Sequence, residues 1–348
     1  MPPPSVRGES ISFSVTDPGA AVLSVGLDCD PAVPGGREFD RQAGTWRLTL
    51  PRPEPRDLLR IEYRLRLQGV EQDLLVLDAG NPARVATVFG ERSVLELPGY
   101  CAPWWLSSPA APGHVAPFVL PGETIDPVPV TVWEPHGFGP SDPLPLLLVH
   151  DGPEYDRLAA LSRYSGALIA AGVLPPHRLV LAHPVLRDAW YSGSPQYLRT
   201  ISGQGLARLR QLYAVRSPVV VMGASLGGLT ALLVGLVGDP SIGGVFAQSG
   251  SFFQMRTDPM ETGFRYFPRI VDRVRAVLHA RHTDHPLRVG LTCGALEENA
   301  ANNRAMAAAL SRAGHVVTHD ETPDLHNYTG WRDALDPYLT RVLLDLWT

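Results

Sequence analysis

The stretch that most constrains this chain is 217–235. Val219, Val220, Val221 and Met222 form a short apolar run of the kind seen in strands buried on both faces. Gly223, Ala224, Ser225, Leu226 and Gly227 follow as G-x-S-x-G, and residues 226–236 read as an apolar helix rich in Leu and small residues. Strand, sharp turn and helix in this order make a nucleophile elbow. The turn strains the backbone at Ser225 and lifts its hydroxyl above a sheet. Glycines two residues to either side are needed because a Cβ there collides with the strand or the helix. Gly228 adds room for the helix to pack closely.

The chain is long enough for two domains, at 348 residues with 45% hydrophobic and 19% charged residues. A net charge of -5 argues against a nucleic-acid partner. The 30 Lys and Arg positions are all Arg, a bias of GC-rich bacterial genomes. Cys29, Cys101 and Cys293 are too widely spaced for a disulfide framework or a zinc site and read as buried, reduced thiols. The first residues lack the pattern of a signal peptide, and no apolar run reaches the ~18 residues of a spanning helix. The expectation is a cytoplasmic protein with no membrane partner, metal or cofactor.

Residues 1–107 read as β structure. Alternating segments recur at 10–15, 21–27, 45–50, 60–67 and 73–77, separated by Pro and Gly clusters at the spacing of a β-sandwich. Trp104 and Trp105 close this part and read as a buried domain junction; 108–113 is a linker by composition. From 114 to 348 strands and helices alternate. Strands are expected at 115–120, 128–134, 145–150, 178–183, 217–222, 244–249, 287–293 and 315–321. Helices are expected at 154–171, 195–213, 226–238, 268–281, 299–313 and 330–346. The first strands precede any helix and carry proline, which predicts an antiparallel edge on a mostly parallel sheet with helices on both faces.

A serine hydroxyl needs a base to take its proton, and the base needs a third group to orient it. In α/β-hydrolases these follow in the order nucleophile, acid, base. The strand 287–293 ends at Gly294-Ala-Leu-Glu-Glu-Asn, so Glu297 or Glu298 is the candidate acid, with Glu297 preferred as nearer the strand end. Among His315, His319 and His326, only His326 lies on the loop beyond the C-terminal end of the last strand, where ligands gather in open α/β sheets. The N–H of Leu226 supplies one oxyanion donor; Gly152 or Asp151, after the strand 145–150, supplies the other, since Pro153 has no N–H. Trp190, Tyr191, Tyr197, Phe252, Phe253, Phe264, Tyr266 and Phe267 fall in loops after central strands. Some of these aromatics, Trp190, Tyr191, Phe252 and Phe253 above all, are expected to wall an acyl or aromatic pocket above Ser225, with Arg187 placed to attract an anionic substrate. His279, His282 and His285 read as surface residues and not as a metal site.

These motifs resemble a known family. Leu147-Val-His-Asp-Gly, Gly223-Ala-Ser-Leu-Gly-Gly, Gln248-Ser-Gly-Ser-Phe-Phe, Gly294-Ala-Leu-Glu-Glu-Asn and His326-Asn-Tyr-Thr-Gly-Trp-Arg-Asp look like the "Putative esterase" family, nearest to the enterochelin (ferric enterobactin) esterases. The resemblance implies an immunoglobulin-like N-terminal domain joined to an α/β-hydrolase domain, and a small-molecule ester substrate such as a siderophore trilactone. It implies Ser225 as nucleophile, His326 as base, Glu297 as acid, and Gly152 with Leu226 as oxyanion hole. Two other activities fit the same build: acyl transfer to an alcohol, as in mycolyltransferases, or a non-catalytic glycan-binding or scaffold role.

Overall fold

The computed structural model describes residues 2–16, 22–69, 72–122, 124–237 and 239–348. It divides into two compact units. Ala21 of the expected strand 21–27, and residue 238 at the end of the expected helix 226–238, lie outside the described residues.

The smaller unit holds Met1–Cys101 together with two short segments from much later in the chain, Gly294–Glu298 and Thr322–Gly330. Its strands form two antiparallel sheets. In the first, β1 (Ser5–Arg7), β2 (Ser10–Thr16), β5 (Thr45–Pro51) and β4 (Asp40–Gln42) lie in the order β1-β2-β5-β4. In the second, β3 (Val22–Cys29), β6 (Arg60–Gly69), β9 (Gly90–Glu96) and β8 (Arg84–Thr87) lie in the order β3-β6-β9-β8, and β7 (Asp73–Val76) also pairs with β6. Period-2 alternation decides which side chains turn inward. Ile11, Phe13 and Val15 of β2 meet Trp46, Leu48 and Leu50 of β5 and Ile61, Tyr63 and Leu65 of β6 in one core, which Leu325 joins from the late segment Thr322–Gly330. Each such buried side chain contributes roughly 1.5–3 kcal/mol.

The larger unit holds Ala102–Cys293, Asn299–Glu321 and Trp331–Thr348. Its sheet is built from β10 (Gly113–Leu120), β11 (Val128–Pro135), β12 (Leu144–Val149), β13 (Arg178–Ala182), β14 (Val215–Ala224), β15 (Ile242–Gln248), β16 (Arg288–Gly294) and β17 (Val316–Thr322). The order is β10-β11-β13-β12-β14-β15-β16-β17. The sheet is mixed: β10, β11 and β13 pair antiparallel, and β13, β12, β14, β15 and β16 pair parallel. β12 is buried along its whole length, as its unbroken Leu-rich run requires of an inner strand.

One expected helix is broken where a single residue leaves the helical basin, and another runs on through a widened turn. The expected helix 154–171 is two helices, Gly152–Ala159 and Leu161–Ala170, because Ala160 sits at φ +51° and the Asp156 carboxylate accepts the Ser162 N–H at 2.9 Å. The expected helix 195–213 is continuous over residues 195–212, widening to a π-helical turn at Thr200–Gly205 between Pro195–Arg199 and Leu206–Leu212. A short helix, Arg187–Tyr191, lies where no element was expected. Trp105 is buried edge-on to Tyr164, whereas Trp104 is half exposed and donates its Nε1–H to Asp336. Cys293 is buried, but Cys29 is only partly so and Cys101 is exposed. No helix among the described residues is long and apolar enough to cross a membrane.

Candidate active site

The larger unit carries the elbow. Ser225 stands between β14 and the helix Leu226–Val237 at φ +56°, a left-handed conformation that costs a non-glycine residue on the order of 1 kcal/mol or more. Neighbouring backbone holds it there: its N–H donates to the Gln248 carbonyl at 2.9 Å, and its carbonyl accepts from the Leu229 and Ser251 N–H groups, each at 3.1 Å. Its Oγ lies 3.3 Å from Ser251 Oγ. Ser251 was not singled out from the sequence beyond the Gln248-Ser-Gly-Ser run that contains it.

The flanking glycines are steric requirements. A Cβ at Gly223 meets the Gly227 carbonyl carbon and oxygen at 2.4 Å, and neither is a flexible side chain that can swing away. Gly223→Ala therefore lowers unfolding stability by about 3 kcal/mol, the upper range for overpacking. Urea denaturation measures this; a loss under about 1 kcal/mol would mean that the elbow opens freely.

The turn after β12 lies beside the elbow: a Cβ on Gly227 would come within 3.1 Å of Asp151 Oδ2 and 3.4 Å of His150 Cβ. Asp151 sits at φ +54°, and a Cβ on Gly152 meets Leu181 Cα at 2.3 Å, so only glycine fits. The Asp151 N–H donates to Tyr191 Oη at 3.2 Å. Gly152 opens the helix Gly152–Ala159, and Leu226 opens Leu226–Val237; N–H groups of a first turn have no acceptor within their own helix. The Asp151 carboxylate takes both branches of the Arg187 guanidinium, at 2.9 and 2.8 Å. Arg187 thus has its charge matched by an internal carboxylate, which the sequence could not reveal. His150, directly after β12, is buried, and burial pushes its pKa down to about 3, so it is neutral.

The aromatic residues expected to wall a pocket are core residues. Trp190, Tyr191 and Phe252 are buried, and Phe253 nearly so; Trp190 stacks on Tyr197 with centroids 5.2 Å apart. Their apolar area is better removed from water against the helix Leu226–Val237 than left on an open rim. Of the aromatics in these loops, Phe264 and Tyr266 reach an open depression of about 570 Å³, facing Leu186 and Arg187.

The smaller unit carries the other two candidates. β16 ends at Gly294, whose N–H donates to Glu297 Oε1 at 2.8 Å, while the Glu297 N–H returns to the Gly294 carbonyl at 3.1 Å. The Ala295 N–H donates to the Thr322 carbonyl at 2.9 Å, tying this turn to the end of β17. The buried Glu297 carboxylate then accepts the Nδ1–H of His326 at 2.8 Å. A carboxylate on Nδ1 leaves Nε2 as the basic nitrogen of the neutral ring. Glu298 is exposed. Desolvation lowers the His326 pKa, but the hydrogen bond and charge of Glu297, with the charges of Asp30 and Glu298, outweigh it and hold the pKa above the ordinary 6.5. His315 is used elsewhere, its Nδ1 accepting the Leu287 N–H at 3.1 Å.

A mixed eight-stranded sheet with a left-handed serine at the crest of an inner strand defines an esterase-type α/β fold. The profile of the "Putative esterase" family matches residues 123–342, and the chain belongs to that family. The fold is similar to that of the enterochelin esterase from Shigella flexneri, with a TM-score of 0.75 and 19% identity over 100% of this chain and 95% of that one. It is similar too to the ferric enterobactin esterase from Salmonella typhimurium, with a TM-score of 0.75 and 16% identity over 97% and 94%. A ferulic acid esterase matches at a TM-score of 0.58 and 18% identity over 67% of this chain and 98% of its own. None of the curated proteins matches the chain.

Proposed function

We propose that this esterase is a serine carboxylesterase working through an acyl-enzyme. The observation that carries the reading is the 2.8 Å bond from His326 Nδ1 to the buried Glu297 carboxylate, an orienting acid on a basic imidazole. Ser225 Oγ attacks the ester carbonyl while His326 Nε2 takes its proton, and Glu297 steadies the imidazolium. The N–H groups of Leu226 and Gly152 hold the oxyanion; the Asp151 N–H, already given to Tyr191, is the weaker choice. The tetrahedral intermediate expels the alcohol, protonated by His326. Water, deprotonated by the same ring, then releases the acid and restores Ser225.

We read the N-terminal strands as an immunoglobulin-like sandwich. A trilactone of the enterobactin kind is the first candidate substrate, supported by the names of the structural relatives and by the order of the motifs. The test is labelling by a fluorophosphonate across pH. The adduct is expected on the peptide containing Ser225. Only the neutral ring accepts a proton, so the labelling rate rises with pH through a midpoint above 6.5. An adduct elsewhere, or a rate that does not change across that range, rejects the reading.

A further inference from the structure

We infer that Arg60, a residue of the smaller unit's β-sheet, is a positioning residue of the reaction: through Asp324 it fixes the loop that presents His326. The inference rests on the reading of His326 as the base.

Arg60 is out of place for its strand. It opens β6 and is only 3% exposed, although a guanidinium pays heavily for leaving water unless carboxylates meet it. Two do: Asp324 Oδ2 at 3.1 Å and Glu62 Oε1 at 3.3 Å, with the Tyr100 ring beneath at 5.5 Å. Burial raises the Glu62 pKa, and the Arg60 charge works against that rise.

The other oxygen of Asp324 faces the base's own loop. Oδ1 accepts the Leu325 N–H at 2.8 Å and the Asn327 Nδ2–H at 2.8 Å, so it grips the residue before His326 and the residue after it. Asn327 passes the constraint on, its Oδ1 accepting the Gly330 N–H at 2.8 Å. Leu325 is buried in the core of the β-sheets, and the Leu59 N–H, next to Arg60, donates to the Pro323 carbonyl at 2.8 Å. His326 keeps about a third of its side chain in solvent while both its neighbours are pinned. A carboxylate whose two oxygens serve different masters transmits the place of one to the other: Arg60 sets Asp324, and Asp324 sets the backbone on either side of the imidazole.

The test compares Arg60→Met, Arg60→Lys and Asp324→Asn with wild type on a p-nitrophenyl ester, below each variant's unfolding temperature. For Arg60→Met, kcat is expected to fall about 100-fold, the cost of a misplacement near 1 Å, with KM changed less than about threefold. The acid midpoint of kcat/KM is expected to move down toward 6.5 as the bond to Glu297 loosens. Arg60→Lys keeps the charge in the same space with a single donor point and is expected to recover about tenfold of the loss; Asp324→Asn is expected to resemble Arg60→Met. Should Arg60→Met not fold, the Lys and Asn variants decide the matter by the same two readouts. Variants that melt earlier but keep the wild-type kcat and midpoint overturn the inference. Wild-type turnover by His326→Ala would instead overturn the assignment of the base, whatever Arg60 does.

Discussion

Ser225→Ala is expected to lower ester turnover by on the order of 10⁴-fold or more, leaving only what binding and the oxyanion donors provide. The fold is expected to stay. The substitution keeps the Cβ that the left-handed backbone already tolerates, and among the described residues it removes the 3.3 Å contact with Ser251 Oγ. Steady-state turnover of p-nitrophenyl acetate and a thermal melt decide this together. Near-normal turnover by a folded variant would sink the covalent mechanism. A large fall in melting temperature would mean that the hydroxyl has a structural part in the elbow.

Glu297→Gln is expected to lower kcat by about 10³–10⁴-fold, the effect of presenting the base in the wrong tautomer. Glu297 uses its two oxygens differently: Oε1 accepts the Gly294 N–H and Oε2 accepts from His326 Nδ1. The glutamine amide keeps an oxygen for Gly294 and turns its NH₂ toward the ring, donor against donor. The ring must move its proton to Nε2, the nitrogen that has to be basic. Losing the anion also destabilises the imidazolium, so the acid midpoint of any residual activity moves down. Glu298→Gln, an exposed position, is expected to change kcat less than about threefold. Equal effects at both positions would return the choice of acid to the open state in which the sequence leaves it.

Local pattern made much of this legible. The glycines around Ser225, the alternation along β2, β5 and β6, and the antiparallel edge ahead of β12 all follow from spacing, because each reflects sterics within a few residues. Glu297 and His326, the candidates that strand ends pick out, share a hydrogen bond at 2.8 Å. What stayed hidden depends on partners far away. Arg60 reads as the wet side of an alternating strand until Asp324, 264 residues on, is placed beside it. Arg187 reads as an open cation until Asp151 takes it. Trp190 and Tyr191 read as rim aromatics because the short helix Arg187–Tyr191 that carries them inward has too few residues for a period to emerge. Ala160 gives no sign of the left-handed break it makes.

The two late segments clustered with the first hundred residues bear on any attempt to recombine this molecule. There is no single cut point along the chain that separates its modules cleanly. A Cβ on Gly294 would lie 2.1 Å from the Asp324 carbonyl, so the turn that carries Glu297 and the loop that carries His326 are interlocked as well. A chimaera that replaces residues 1–101 inherits an Asp324 without its arginine and a Leu325 without its socket, unless 294–298 and 322–330 travel with the graft. Swapping modules in this esterase is therefore a three-piece exchange.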